Sequence, residues 1–125
     1  MIENDISYAI RGAAFSVHST LGPGLLESVY EAALAYELIS AGFTVRTQVG
    51  LPVIYKSEKL ELGFRLDILV NESVIVEIKS IESLHDLHYK QLLTYLRLSN
   101  KKLGLLINFN CPLLKDSIKR VVNGL

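Results

Sequence analysis

Glu77-Ile78-Lys79 sets a carboxylate and an ammonium two positions apart inside an apolar segment, Val74 to Lys79. Side chains alternate along a strand, so Glu77 and Lys79 share one face with Ile75, while Val74, Val76 and Ile78 take the other. Upstream, Asp67 lies in a second apolar segment, on the face of Arg65 and Leu69. Asn71-Glu72-Ser73 reads as the short turn of a hairpin. Folded about that turn, the hairpin carries Asp67 to the Glu77/Lys79 face. Two carboxylates close together in apolar surroundings repel, and burial raises the cost of ionising both. A divalent cation resolves the conflict, and oxygen donors with open water positions suit Mg²⁺ or Mn²⁺. A lysine beside it orients or helps deprotonate a water and offsets charge developing on a phosphodiester oxygen. About one acidic-x-Lys triplet arises by chance in a chain of this composition. The weight therefore rests on placement within paired apolar strands. An exposed ladder of ion pairs on a half-solvated sheet would use the same residues.

Three further groups could join this site. His88, Gln91 and Tyr95 stand at i, i+3 and i+7, one stripe of the helix that follows the acidic strand. If the stripe faces the cleft, Gln91 can hold a water or a phosphate oxygen; a partly solvated helix face explains the spacing as well. His85 and His88 form an HxxH pair, but no third ligand with zinc spacing accompanies it. Glu27 falls in the first turn of a helix, where the helix dipole favours an acid. Its apolar neighbours Leu26, Val29 and Tyr30 put it at the edge of the core, with His18 across the Leu21-Gly22-Pro23-Gly24 turn.

The elements that position these groups follow from periodicity and breakers. Helices are expected over 3–20, about 25–40 and about 82–99, and a short one over about 112–122. Strands are expected over 43–50, 51–57, 60–70, 74–80 and 103–109, the second at an edge because of Pro52. In residues 60–70 the alternation runs through Leu60, Leu62, Phe64, Leu66, Ile68 and Val70. The order predicts an α/β (α+β) fold, a mixed central β-sheet flanked by helices, in a single domain over 1–125.

The chain has 125 residues, half of them apolar, with 13 Lys+Arg against 13 Asp+Glu. That composition excludes intrinsic disorder and argues against holding a polyanion by bulk charge alone. Residues 1–62 carry four basic and seven acidic side chains, and residues 63–125 nine and six. Lys101, Lys102, Lys115, Lys119 and Arg120 are candidates for a local basic patch. No apolar run is long enough for a membrane span, and the N-terminus lacks a basic signal stretch. The single cysteine, Cys111, excludes an intramolecular disulfide, has no histidine near it in sequence, and reads as a buried thiol. A cytoplasmic location is expected. Exposed strand edges favour self-association, most simply a homodimer.

Gly24-Leu25-Leu26-Glu27-Ser28-Val29-Tyr30 resembles the signature of the GxxExxY proteins, which are placed in the PD-(D/E)XK nuclease superfamily with its restriction-endonuclease-like fold. The likeness extends from Val17 to Leu34, through Gly63–Asp67, Val76–Ser80 and Gln91–Leu96, to Gly104–Phe109. It implies Asp67 and Glu77 as ligands of Mg²⁺ (or Mn²⁺), Lys79 acting on the nucleophilic water, and the Ile78 carbonyl as an added ligand. It implies Glu27 as the helix-borne acid completing the site, directly or through water. Gln91 and Tyr95 resemble the QxxxY element of the RecB-like branch, which makes them substrate-binding candidates; His88 joins them by its place on the same helix stripe. Residue 66 is Leu where the superfamily pattern has Pro, and no DNA-reading insertion is evident. The expected activity is metal-dependent hydrolysis of nucleic acid, DNA before RNA. The alternative is a non-catalytic module that binds nucleic acid or protein with the same fold.

Overall fold

Apolar stripes and glycine stops set the helices of the computed structural model, which describes residues 2–125 apart from the side chains of Glu61 and Leu62. The place of Leu62 in the expected alternation thus lies outside the described residues. Helix α1 (Glu3–Leu21) buries Ile6, Ile10, Ala14 and Val17 and stops at Gly22, whose φ of 72° suits a residue without Cβ. Helix α2 (Glu27–Ser40) buries Tyr30, Leu34, Ala35 and Leu38. Then come β1 (Val45–Tyr55), β2 (Glu58–Val70), β3 (Val74–Lys79), α3 (Asp86–Ser99), β4 (Leu103–Asn108), a 3₁₀ turn over Leu114–Asp116 and β5 (Ile118–Val122).

The strands form one five-stranded sheet in chain order. β1, β2 and β3 run antiparallel; β3 and β4 are parallel, joined by α3; β5 returns antiparallel to β4. Helices α1 and α2 cover one face, where Ile10, Leu34 and Leu38 pack on Ile68, Val76, Ile78 and Leu105. Helix α3 covers the other, with Leu92 and Leu96 against Leu69, Ile75 and Leu106. Strands β3 and β4, sandwiched by both layers, read as almost unbroken apolar runs. Gly104 lets α3 come close to the sheet, since a Cβ there would stand 2.9 Å from Leu92 Cδ1.

Three expectations need correction. The stretches 43–50 and 51–57 are one strand, β1, whose ladder with β2 shifts register between Pro52 and Val53. A bulge absorbs the proline without ending an edge strand. Helix α3 begins at Asp86, not 82. The expected helix over 112–122 is instead the 3₁₀ turn followed by β5. Ile118, Val121 and Val122 are β-branched, and pairing covers what would otherwise be an open apolar edge of β4. None of the described helices is long and apolar enough to cross a membrane.

Candidate active site

The β2–β3 ladder runs from Val70↔Val74 through Leu69↔Ile75 to Ile68↔Val76 and stops there. The next opposed positions are Asp67 and Glu77. The strands separate at that point, and the Ile78 N–H, which has lost its ladder partner, donates to Asp67 Oδ2 at 2.8 Å. A side chain replaces the missing main-chain acceptor, as a buried N–H requires. Glu77 is 7% exposed. Its Oε1 is buried and has no hydrogen-bond partner among the described residues. Burial first, and then the Asp67 charge, push the Glu77 carboxyl up to about 9. A buried acid of this kind stays protonated at neutral pH unless a cation arrives. Lys79, half-buried at the end of β3, acts in the opposite direction on Glu77 by its charge.

Asp67 sits at a kink. Regular alternation would set Leu66 with Ile68 and Val70, yet Leu66 packs with Leu69 and Ile75, and Ile68 and Val70 pack on the far face. On β1 the residue between the paired positions Thr47↔Ile68 and Val49↔Leu66 is Gln48, with a left-handed φ of 53°. Its Nε2 donates to Glu31 Oε1 at 2.6 Å and lies 3.5 Å from Asp67 Oδ1. The Arg65 guanidinium meets the Gln48 carbonyl at 3.5 Å. Glu31, one turn beyond Glu27 on α2, is raised by burial and, less, by the Asp67 charge. Sequence reasoning missed Glu31 and Gln48. The i, i+4 spacing from Glu27 was a signal for the first; the kink behind the second has no local sequence mark.

Tyr30 explains the conformation that delivers Glu27. Its hydroxyl donates to the Gly22 carbonyl at 2.6 Å and accepts from the Leu25 N–H at 3.1 Å. The ring stacks on Phe109 at 4.5 Å. The turn, with Gly24 at φ 94°, is thereby fixed to the core. Glu27 begins α2 and its Oε2 accepts from the Ser80 N–H at 3.1 Å, just past Lys79. The Ser80 hydroxyl donates to the Leu25 carbonyl at 2.6 Å. Helix α2 is therefore stitched to the end of β3. Asn108, the parallel partner of Lys79, holds the chain after β3 through bonds between its amide and the N–H and C=O of Ile81.

Helix α3 closes the opposite side. His88 caps its start, its Nδ1 accepting from the His85 N–H at 3.0 Å while the His88 N–H donates to the His85 carbonyl at 2.9 Å. That accounts for the HxxH spacing without zinc. His88 is lowered chiefly by desolvation and then by Lys79 and His85, while Glu27 acts weakly the other way. It thus stands within electrostatic reach of both Lys79 and Glu27. Tyr95 is raised by burial and then by Glu77 and Asp67. Its ring stacks on Phe64 of β2 at 4.4 Å. Gln91 is exposed between them on the same stripe. Among the described residues no three of His, Cys, Asp and Glu are grouped tightly enough to form a complete metal cage. The acids come as a pair, Asp67 with Glu77, with Glu27 engaged on Ser80 and Glu31 on Gln48.

Two side expectations change. His18 does not meet Glu27; its Nε2 lies 2.8 Å from the Cys111 carbonyl and 3.9 Å from Cys111 Sγ. The fold thus supplies Cys111 with a histidine neighbour 93 residues away in sequence. The thiol donates to the Asn108 carbonyl at 3.3 Å, so the contact fastens α1 to the segment after β4. Lys101 and Lys102 precede Leu103, at the opposite end of β4 from Asn108. Five residues of strand, about 16 Å, separate them from the level of Lys79.

A mixed sheet between helical layers, with acids converging where two strands part, is a restriction-endonuclease-like architecture. A family model of the PD-(D/E)XK nuclease superfamily matches residues 4–121, and the chain belongs to that superfamily. No curated protein and no solved structure matches it.

Proposed function

We propose that this protein is a Mg²⁺- or Mn²⁺-dependent nuclease that hydrolyses phosphodiester bonds, with DNA as its substrate. One observation carries the reading: Glu77 buries an oxygen that has no hydrogen-bond partner, directly beside a second carboxylate. An apolar or amide residue would fill that position at lower cost. A divalent cation gives the oxygen a partner and removes the repulsion, so the donor set fits the metal. Asp67 and Glu77 would hold it, with the Ile78 carbonyl and Glu27, directly or through water, filling out the oxygen set. When bound, the cation lowers the pKa of a coordinated water and polarises the phosphate.

The chain's own groups do the rest. Lys79 follows Glu77 on the same strand face and orients the attacking water while offsetting charge on the phosphate oxygens. Gln91 fixes a water or a phosphate oxygen from α3. His88 faces Lys79 and Glu27 and contacts the substrate backbone as a neutral donor or acceptor. The Tyr95 ring is occupied by Phe64, so its contact with substrate falls to the hydroxyl. The Gly24–Tyr30 segment supports a place among the GxxExxY proteins.

The test is cleavage of single- and double-stranded DNA and of RNA with Mg²⁺ or Mn²⁺, comparing wild type with Lys79→Ala and Asp67→Ala. Metal-dependent cutting that both substitutions abolish is the expected result. Equal cutting by all three, or none on any substrate by folded protein, overturns it. Nucleic-acid binding that is unchanged in Asp67→Ala, without Mn²⁺ affinity, would identify a non-catalytic binding module.

A further inference from the structure

We propose that Gln48 is a positioning residue for Asp67 and that Glu31 is its anchor on α2; the inference rests on the nuclease reading above. Asp67 is asked to do two things at once. Its Oδ2 replaces a ladder acceptor for the Ile78 N–H, and its remaining lone pairs must stay aimed at the site. A carboxylate on a kinked strand end has free rotation about its terminal bond unless a second contact sets it. Gln48 provides that contact. Its carboxamide lies between two carboxylates, 2.6 Å from Glu31 Oε1 and 3.5 Å from Asp67 Oδ1. A primary amide has two N–H donors, so it serves both acids without adding charge.

The backbone is shaped for this task. Gln48 adopts a left-handed φ of 53°, which is uncommon for a residue with a Cβ. The conformation falls opposite Asp67, where both strands switch the faces they present. Gln48 alone would be a mobile side chain on an exposed strand. Glu31 immobilises it, and Glu31 is itself placed by the first two turns of α2, the helix whose start Tyr30 pins. Groups behind a metal carboxylate orient it, and their loss commonly weakens metal binding by about 10- to 100-fold.

The experiment measures Mn²⁺ affinity by calorimetry on the full chain, together with melting temperature and the Ile78 amide resonance of metal-free protein. Gln48→Ala and Glu31→Ala are each expected to weaken Mn²⁺ by about 10- to 100-fold with little change in melting temperature. Both should shift the Ile78 resonance, because the Asp67 carboxylate it donates to has turned. Glu31→Gln should bind like wild type, since its amide oxygen still accepts from Gln48. Gln48→Asn, a residue type that tolerates this backbone, tests reach without disturbing the kink and should resemble Gln48→Ala. The double variant should be no worse than Gln48→Ala alone, as expected for two members of one chain of contacts. Unchanged affinity and an unmoved Ile78 resonance in Gln48→Ala would overturn the proposal, as would equal damage from Glu31→Gln and Glu31→Ala. Absence of Mn²⁺ binding by wild type would defeat the nuclease reading by itself, and the Ile78 resonance would then decide the positioning role alone.

Discussion

Replacing Glu77 by Gln tests the energetic premise of the site without any substrate. In the unfolded chain this carboxyl titrates near 4.5, and in the folded protein near 9. Between those values unfolding releases a proton, so rising pH favours the unfolded chain. The associated stability is fully present below about 4.5 and is lost as pH rises toward 9. The slope is about 1.4 kcal/mol per pH unit. Metal-free wild type should therefore lose about 3 kcal/mol between pH 5 and pH 7 from this group. Glu77→Gln is neutral at every pH, has nearly the same shape and keeps a donor for Asp67, so it should lack this component. Urea unfolding in chelator at pH 5, 6, 7 and 8 reads the difference: the two curves diverge with pH, and the variant is the more stable protein at pH 7. Adding Mn²⁺ at about 1,000 times its Kd should reverse the order, because it stabilises the folded form by about 4.1 kcal/mol and the amide is a poor ligand for it. Parallel pH profiles for the two proteins in chelator would refute the argument, since they would mean that Glu77 is ionised in the fold.

Other consequences are separable from that one. Lys79→Ala should retain Mn²⁺ binding yet lose about 10²–10³ in cleavage rate, the usual cost of removing one group that stabilises developing charge; single-turnover cleavage at saturating Mn²⁺ measures it. In the same variant the His88 titration midpoint, followed by NMR, should move up toward the ordinary histidine value, because the nearby ammonium is one of the causes holding it down. Tyr30→Phe removes both hydrogen bonds to the Gly22–Leu25 turn. It should cost about 1–3 kcal/mol in urea unfolding and loosen the Glu27 contact with Ser80. Gly104→Ala forces a methyl against Leu92, a contact of 2.9 Å. It should destabilise by about 1–3 kcal/mol, and the same substitution should cost less in a Leu92→Ala background, where the methyl has room.

Much of the site was legible because strand parity and helix periodicity are local rules. The Asn71–Ser73 turn sets Asp67 opposite Glu77, as the hairpin reading expects, and the i, i+3, i+7 stripe of α3 brings His88 and Tyr95 within electrostatic reach of these groups. The failures share a cause. The helix expected over 112–122 became β5 because an apolar strand edge needed a partner, and sequence periodicity does not register what a neighbour lacks. The two strands expected over 43–57 are one because a bulge can carry Pro52 along an edge. His18 went to Cys111, a pairing that follows only from how α1 crosses the end of β4.

By itself the sequence determined the mixed sheet between helical layers, the acid pair beside a lysine, and the glycine-bounded turn that puts Glu27 in the first turn of α2. Those follow from residue type and spacing, which act over a few positions. Only the tertiary structure decided that β2 and β3 part at Asp67 and Glu77 and that an oxygen of Glu77 is left buried without a partner. The tertiary fold likewise set Glu31 and Gln48 behind Asp67. These properties depend on desolvation and on contacts between residues distant in the chain, and neither is a function of local spacing.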